Sequence, residues 1–302
     1  MNTLVVITGP TGVGKTDTAI SIAQALSAEI ISADSRQLYR DIPIGTAAPT
    51  AQQQAIVPHH FVGTLALDQY YSAAQYESDV MQLLPQLFAR SPYAVMCGGS
   101  MLYIDAVCRG IDDIPTVSDE IRAQVYAQYE KHGLDYMLAQ LQELDPVHYE
   151  VVDKKNYKRV VHAVEICLQA GQPYSSLRTN STKERPFDII KIGLNLPREQ
   201  LFDRINRRVW AMIEEGLIEE ARKVYPMRHL NSLNTVGFKE LFAYFDGTMD
   251  YDTAVARIQK NTRVYAKKQL TWYAKDENMR WFTPGNDNSI IEYIKHTAEY
   301  DK

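Results

Sequence analysis

A chain of 302 residues, 45% of them hydrophobic, is long enough for one large or two modest domains with a sizeable core. Its net charge of −5 argues against a uniformly basic nucleic-acid binder, and no apolar run reaches the length of a membrane span. Cys97, Cys108 and Cys167 lack metal-ligand spacing and lie among apolar neighbours, the pattern of buried free thiols in a reducing compartment.

The opening MNTLVVITGP runs directly into a β-branched apolar stretch, Thr3 to Ile7, and lacks the form of a signal peptide, so a cytoplasmic protein is expected. The stretch Gly9, Pro10, Thr11, Gly12, Val13, Gly14, Lys15, Thr16 follows and fits G-x-x-x-x-G-K-[ST], a phosphate- or nucleotide-binding loop of the kind that holds ATP. Its glycines let backbone N–H groups turn inward onto a phosphate. Lys15 adds a point charge, and the Thr16 hydroxyl suits Mg²⁺. Asp17 to Leu26 has helical spacing, so strand, loop and helix aim a helix N-terminus at an anion.

Further strands are expected at Glu29–Ala33, Tyr93–Cys97, Asp188–Leu196 and Met279–Phe282, with helical patterns such as Ala73–Arg90 between them. Alternating strands and helices predict an α/β fold, a three-layer parallel sheet of the P-loop NTPase kind. The phosphate loop, Asp34 and Gly98-Gly99-Ser100 each follow a strand, so they should converge at one edge, where such sheets bind ligands. Residues 113–187 read instead as a helical insertion punctuated by Pro146, Gly171 and Pro173, leaving 1–112 and 188–302 as the core. Charge is uneven: 16 Lys and Arg face 12 Asp and Glu over residues 191–282, and every other region is acidic on balance. Asp34-Ser35-Arg36-Gln37-Leu38-Tyr39 packs carboxylate, hydroxyl, guanidinium and amide into four consecutive positions, a density unusual for a structural cap.

GPTGVGKT, DSRQLY, Gly45-Thr46-Ala47-Ala48-Pro49-Thr50, Pro58-His59-His60, Gly98 to Tyr103, Val236 to Glu240 and the run Thr262 to Trp272 fall in one order. In these motifs the chain resembles the tRNA dimethylallyltransferase (tRNA isopentenyltransferase) family over nearly its whole length. The resemblance implies transfer of a dimethylallyl group from dimethylallyl diphosphate, assisted by Mg²⁺ near Thr16, to an exocyclic adenosine amine beside the tRNA anticodon. It further implies that Asp34 is the general base, that Lys15 and Arg208 meet the diphosphate, and that the Ser100 hydroxyl donates to its bridging oxygen. Asp34, Ser35, Arg36, Gln37 and Ser100 would hold the base and its neighbours. Arg122, Lys158, Arg159 and His162 on the insertion match family positions that touch tRNA. Arg263, Lys267 and Lys268 read as one helical face for RNA phosphate. The insertion is expected to clamp tRNA, and the protein to work as a monomer. Ala48, Met101 and His162 depart from the family pattern of Lys, Gly and Arg. Two other readings compete: a P-loop kinase acting on a nucleoside or small molecule with ATP, and a non-catalytic RNA-binding module. Intact Lys15, Thr16 and Asp34 argue against the second, and an insertion poor in clustered arginine argues against the first.

Overall fold

The computed structural model describes residues 2–179 and 182–300 and divides them into two compact units, residues 1–108 with 184–302, and residues 109–183. The first unit begins β1 (Thr3–Thr8), α1 (Lys15–Ala25), β2 (Ile30–Ser32), α2 (Pro43–Thr46), α3 (Ala51–Ile56) and β3 (His59–His60). It continues through α4 (Ala73–Phe88), β4 (Tyr93–Cys97) and α5 (Met101–Arg109). The second unit holds α6 (Asp119–Leu144), α7 (Pro146–Val151), α8 (Tyr157–Ala170) and α9 (Tyr174–Leu177). The chain returns with β5 (Asp188–Leu194), α10 (Arg198–Glu214), α11 (Leu217–Val224), α12 (Phe238–Phe245), α13 (Tyr251–Tyr273), β6 (Met279–Phe282) and α14 (Asp287–Tyr300).

The six strands form one parallel sheet in the order β3-β2-β4-β1-β5-β6. Side chains of β1 alternate between its two faces, and both faces are covered. Val5 and Ile7 pack with Ile20, Ile22 and Ala23 of α1, Leu201 and Ile205 of α10, and Ile290 and Ile294 of α14. Leu4 and Val6 pack with Tyr76, Val80 and Leu84 of α4 and Ile104 and Val107 of α5. That double burial explains why TLVVIT reads as a continuous apolar run rather than an alternating one. A third cluster, built on Leu217, Ala221, Phe238, Leu241 and Ile258, holds α10 to α13 together.

The second unit carries its own core of Val125, Met137, Leu141, Val160, Val161 and Val164. Its expected punctuation is put to specific use. Pro146 opens α7, Asp145 caps that helix by accepting from the His148 N–H at 2.9 Å, and Gly171 closes α8 in the left-handed region. The segment 119–144 reads as one helix but is broken at Gly133, whose φ of 79° lies outside helical geometry. The unit also begins and ends earlier than residues 113–187. Arg185, just before β5, is tied into the first unit by its bonds to Glu77 at 2.6 Å and to the Ala106 carbonyl at 2.8 Å.

Candidate active site

β2, β4 and β1 are neighbours in the sheet, so the segments leaving their carboxyl ends lie side by side. They line a cleft of about 1020 Å³ in the first unit. The phosphate loop forms one side through Thr11, Gly12, Gly14, Lys15 and Thr16. Asp34 and Gln37 come from the end of β2, and Cys97, Gly98 and Gly99 from the end of β4. Arg204, Arg207 and Arg208 of α10, Tyr265 and Gln269 of α13, and the α2–α3 segment from Pro43 to Gln54 also line it.

Gly9, Gly12 and Gly14 all have positive φ, as an inward-facing backbone requires, and Gly14 caps α1. The Lys15 ammonium rests on its own loop, donating to the Gly9 and Pro10 carbonyls at 3.1 and 2.9 Å. Burial lowers its pKa to about 8; the nearby Arg208 charge acts in the same direction and Asp34 opposes both. Burial likewise lowers the pKa of Arg208, while the Asp34 carboxylate raises it. Arg204 stands one turn before Arg208 on the same face and approaches Gly14, where a Cβ would lie 3.2 Å from its guanidinium. Two arginines therefore overhang the loop, where sequence reading singled out only Arg208.

Asp34 Oδ1 accepts from the Arg36 N–H at 2.9 Å, an Asx turn that aims the carboxylate from the strand end. Ser100 Oγ accepts from the Ser35 N–H at 2.8 Å and donates to Ser35 Oγ at 3.2 Å. These two contacts hold the Ser100 side chain against Ser35.

Arg36 and Gln37, expected to hold RNA, bond to the protein itself in this structure, and Gln37 also lines the cleft. The Arg36 guanidinium donates to the Asn231 and Ser232 carbonyls at 2.9 and 3.0 Å. The Gln37 amide donates to the Thr46 and Ala47 carbonyls at 3.3 and 3.0 Å and accepts from Ser32 Oγ at 3.0 Å. These bonds pin the DSRQLY turn and the GTAAP segment against each other. Glu220 of α11 supports the same segment, accepting from the Ile44 and Gly45 N–H groups at 2.9 and 2.8 Å.

Arg263, Lys267 and Lys268 do not share one face. Arg263 and Lys267 lie over the Phe202 ring of α10, and Arg263 also bonds to Asn206. Lys268 is one residue further on and therefore turned about 100° around the helix. Arg122, in the first turn of α6, and Lys158, Arg159 and His162, along α8, belong to the second unit. Lys158, Arg159 and His162 are exposed there, and His162 meets Glu165 at 3.4 Å. Cys108 and Cys167 are buried free thiols as expected, whereas Cys97 is half-buried at the cleft.

Gln269 escaped sequence reading. Only 1% exposed, it accepts from the Thr11 N–H at 2.8 Å and donates to the Gly99 carbonyl at 2.8 Å. One amide thus ties the phosphate loop to the segment after β4. The signal was a lone polar residue on the buried stripe Ala266, Gln269, Tyr273 of α13.

The model of the IPP transferase family matches residues 37–276. The chain belongs to this family. It is 59% identical to tRNA dimethylallyltransferase 2 of Parabacteroides distasonis over 97% of this chain and 98% of that protein. It is 56% identical to tRNA dimethylallyltransferase 1 of Phocaeicola vulgatus, again over 97% and 98%. Among solved structures, the full-length tRNA isopentenylpyrophosphate transferase of Bacillus halodurans superposes with a TM-score of 0.73 at 34% identity, covering 99% of this chain and 97% of that one. The IPP transferase match starts at Gln37, after the phosphate loop and Asp34. The full-length relatives span both.

Proposed function

We propose that this protein is a tRNA dimethylallyltransferase whose cleft binds dimethylallyl diphosphate on the phosphate loop and presents an unstacked adenosine to it beside Asp34. One observation carries the reading: an anion cradle and a strand-end carboxylate open into the same cleft, on a chain similar from end to end to proteins of that name. The backbone N–H groups of the loop, Lys15, Arg204 and Arg208 would bind the diphosphate. They would also stabilise the charge that builds on it as the allylic C–O bond breaks. The adenosine N6 lone pair forms the new C–N bond, its proton passes to the Asp34 carboxylate, and diphosphate leaves with the electron pair of the broken bond. Lys15 must exchange the Gly9 and Pro10 carbonyls for diphosphate oxygens, and Ser100 must turn from Ser35 to donate to the bridging oxygen. Arg36 and Gln37 shape the acceptor wall through their bonds to the chain.

The donor set suits Mg²⁺. Thr16 brings a hydroxyl to the cleft in the first turn of α1, and among the described residues no group of three or more His, Cys, Asp or Glu forms a self-sufficient metal cage. That is the pattern of an ion shared with substrate phosphates. Thr16 would hold the ion, which would neutralise part of the diphosphate charge. Arg122, Lys158, Arg159 and His162 give the second unit a place to contact tRNA, as a clamp. Among the described residues no helix is long and apolar enough to cross a membrane. We propose further that the protein works in the cytoplasm, where soluble tRNA and dimethylallyl diphosphate meet, and that it acts as a monomer.

The deciding experiment incubates the protein with bulk tRNA and either labelled dimethylallyl diphosphate or labelled ATP, followed by mass spectrometry of the nucleosides. Label is expected on adenosine from the first donor alone. Phosphate moving from ATP would favour the kinase reading, and no transfer from either would favour a binding module. Asp34→Ala should lower turnover at least 100-fold while dimethylallyl diphosphate still binds. Normal turnover by that variant would remove Asp34 as the base.

A further inference from the structure

The carboxyl edge of the sheet carries a second concavity, of about 540 Å³, over the ends of β5 and β6. The same two helices wall both sites. α10 gives Arg204 and Arg208 to the cleft and Leu201 and Phe202 to this pocket; α13 gives Tyr265 and Gln269 to the one and Lys267 and Leu270 to the other. No residue lines both. The lining is mostly apolar, with Leu196, Phe202, Leu270, Trp281 and Phe282 its largest side chains. Trp281 has been given room. It stands opposite Gly193 in register, and a Cβ on that glycine would come within 2.7 Å of the indole, so β5 gives up a side chain to seat the ring. The indole is nonetheless 36% exposed.

Two cations border this apolar surface without an acid. Arg198 and Lys267 lie over the Phe202 ring, 5.2 and 5.4 Å from its centroid, and among the described residues neither forms an ion pair. Arg263 approaches the same ring at 5.9 Å. Asp203, next to Phe202 in sequence, is held by Arg207. Arg198 also sits in the first turn of α10, where the helix dipole disfavours a cation. Like charges gathered at one ring call for an anion, and the apolar lining calls for a hydrocarbon attached to it.

We infer that this pocket is a second ligand site, for an apolar chain ending in a phosphate or diphosphate, with the chain along Leu270, Trp281 and Phe282 and the head on Arg198 and Lys267. A prenyl diphosphate longer than the dimethylallyl donor has that chemistry. A nucleotide suits the pocket less well. Phe202 is taken by cations, and a base edge would find only Asn195 and Thr283 as neutral polar side chains in the lining. Asn195 Oδ1 already accepts from the Leu196 N–H at 2.9 Å. Because the pocket shares no residue with the phosphate loop, its occupant binds alongside diphosphate and not in exchange for it.

The test titrates the full-length protein with farnesyl diphosphate, dodecyl phosphate, farnesol or AMP by calorimetry while inorganic diphosphate saturates the cleft. Farnesyl diphosphate should bind saturably under that blockade, and farnesol, which lacks the anion, more weakly. Arg198→Ala should weaken farnesyl diphosphate about tenfold, the loss of one hydrogen bond to a charged group. Thr283→Trp, which fills the pocket from an exposed position, should abolish its binding. Both variants should keep wild-type affinity for inorganic diphosphate, which shows that they are folded. Dodecyl phosphate binding as tightly as farnesyl diphosphate supports a site for any such chain, and a preference for farnesyl diphosphate supports a prenyl source. Displacement of farnesyl diphosphate by inorganic diphosphate, wild-type affinity in both variants, or tighter binding of AMP overturns the site. So does a loss of stem-loop RNA affinity in both variants with farnesyl diphosphate binding unchanged, which would assign the cations to RNA. The transferase reading depends on label transfer to adenosine and stands or falls separately.

Discussion

At the scale of single residues, the site depends on groups that are occupied before substrate arrives. Gln269 uses both ends of its amide, so replacing it discriminates between its two roles. Gln269→Met leaves the Thr11 N–H and the Gly99 carbonyl without partners and should cost about 1–3 kcal/mol of stability, read from chemical denaturation. Gln269→Glu retains an acceptor for Thr11 but sets a carboxylate against the Gly99 carbonyl and beside the phosphate cradle. Its affinity for inorganic diphosphate should fall at least tenfold by calorimetry, further than in the Met variant. Lys15 sets a pH dependence. Its pKa of about 8 in the free protein lies below the usual lysine range, so the ammonium is charged below pH 8 and is lost as pH rises through it. Diphosphate affinity should therefore decline above about pH 8. Lys15→Arg should remove that limb, since a guanidinium stays charged, at a cost in affinity from its different shape. Part of this site was legible in the sequence: the loop was recognisable from residue type and spacing and Asp34 from its place at a strand end, whereas Arg208 was singled out by the family resemblance alone. The partners of Arg36 were not legible, because Asn231 and Ser232 are separated from it by 195 and 196 residues and are met through carbonyls that any residue supplies.

At the scale of elements, the close approach of neighbouring strand ends is what gathers the site. A Cβ on Gly98 would stand 2.1 Å from the Ala33 carbonyl oxygen, backbone against backbone, where no rotamer change relieves it. Gly98→Ala should separate the ends of β2 and β4 and destabilise the protein by about 3 kcal/mol, seen as a lowered melting temperature with diphosphate binding lost in parallel. β1, β4 and β6 were recognisable from their apolar β-branched or aromatic text. β3 was not: it is two histidines paired only to β2, too short to leave a pattern. The break in α6 was hidden because its flanking residues keep helical spacing, and only the backbone of Gly133 reveals it. The two-sided character of α13 was hidden for a similar reason. Three cations close in sequence look like one patch until the helix turns Lys268 away from Phe202.

At the scale of the whole molecule, the two chain ends of the second unit lie together. The Lys183 N–H donates to the Arg109 carbonyl at 2.7 Å, so the chain leaves and returns at adjacent positions. Replacing residues 109–183 by a short Gly-Ser linker should leave a folded first unit that binds dimethylallyl diphosphate as the full chain does, measured by circular dichroism and calorimetry. The same variant should lose most of its tRNA affinity. Undiminished affinity would place tRNA recognition in the first unit alone.

The strand order carries a consequence for biosynthesis. β1 pairs on one side with β4 and on the other with β5, and the 75 residues of the second unit are made between those two strands. At about 5–20 residues per second, the ribosome needs roughly 4–15 s to translate that stretch. Throughout it, the nascent TLVVIT segment has a partner on one flank alone, with the other row of amides and carbonyls open to pairing with any neighbouring polypeptide. A self-contained helical module at that place in the message becomes compact from local contacts without recruiting the waiting edge. The open edge of β1 therefore stays exposed until β5, ending at Leu194, has been made.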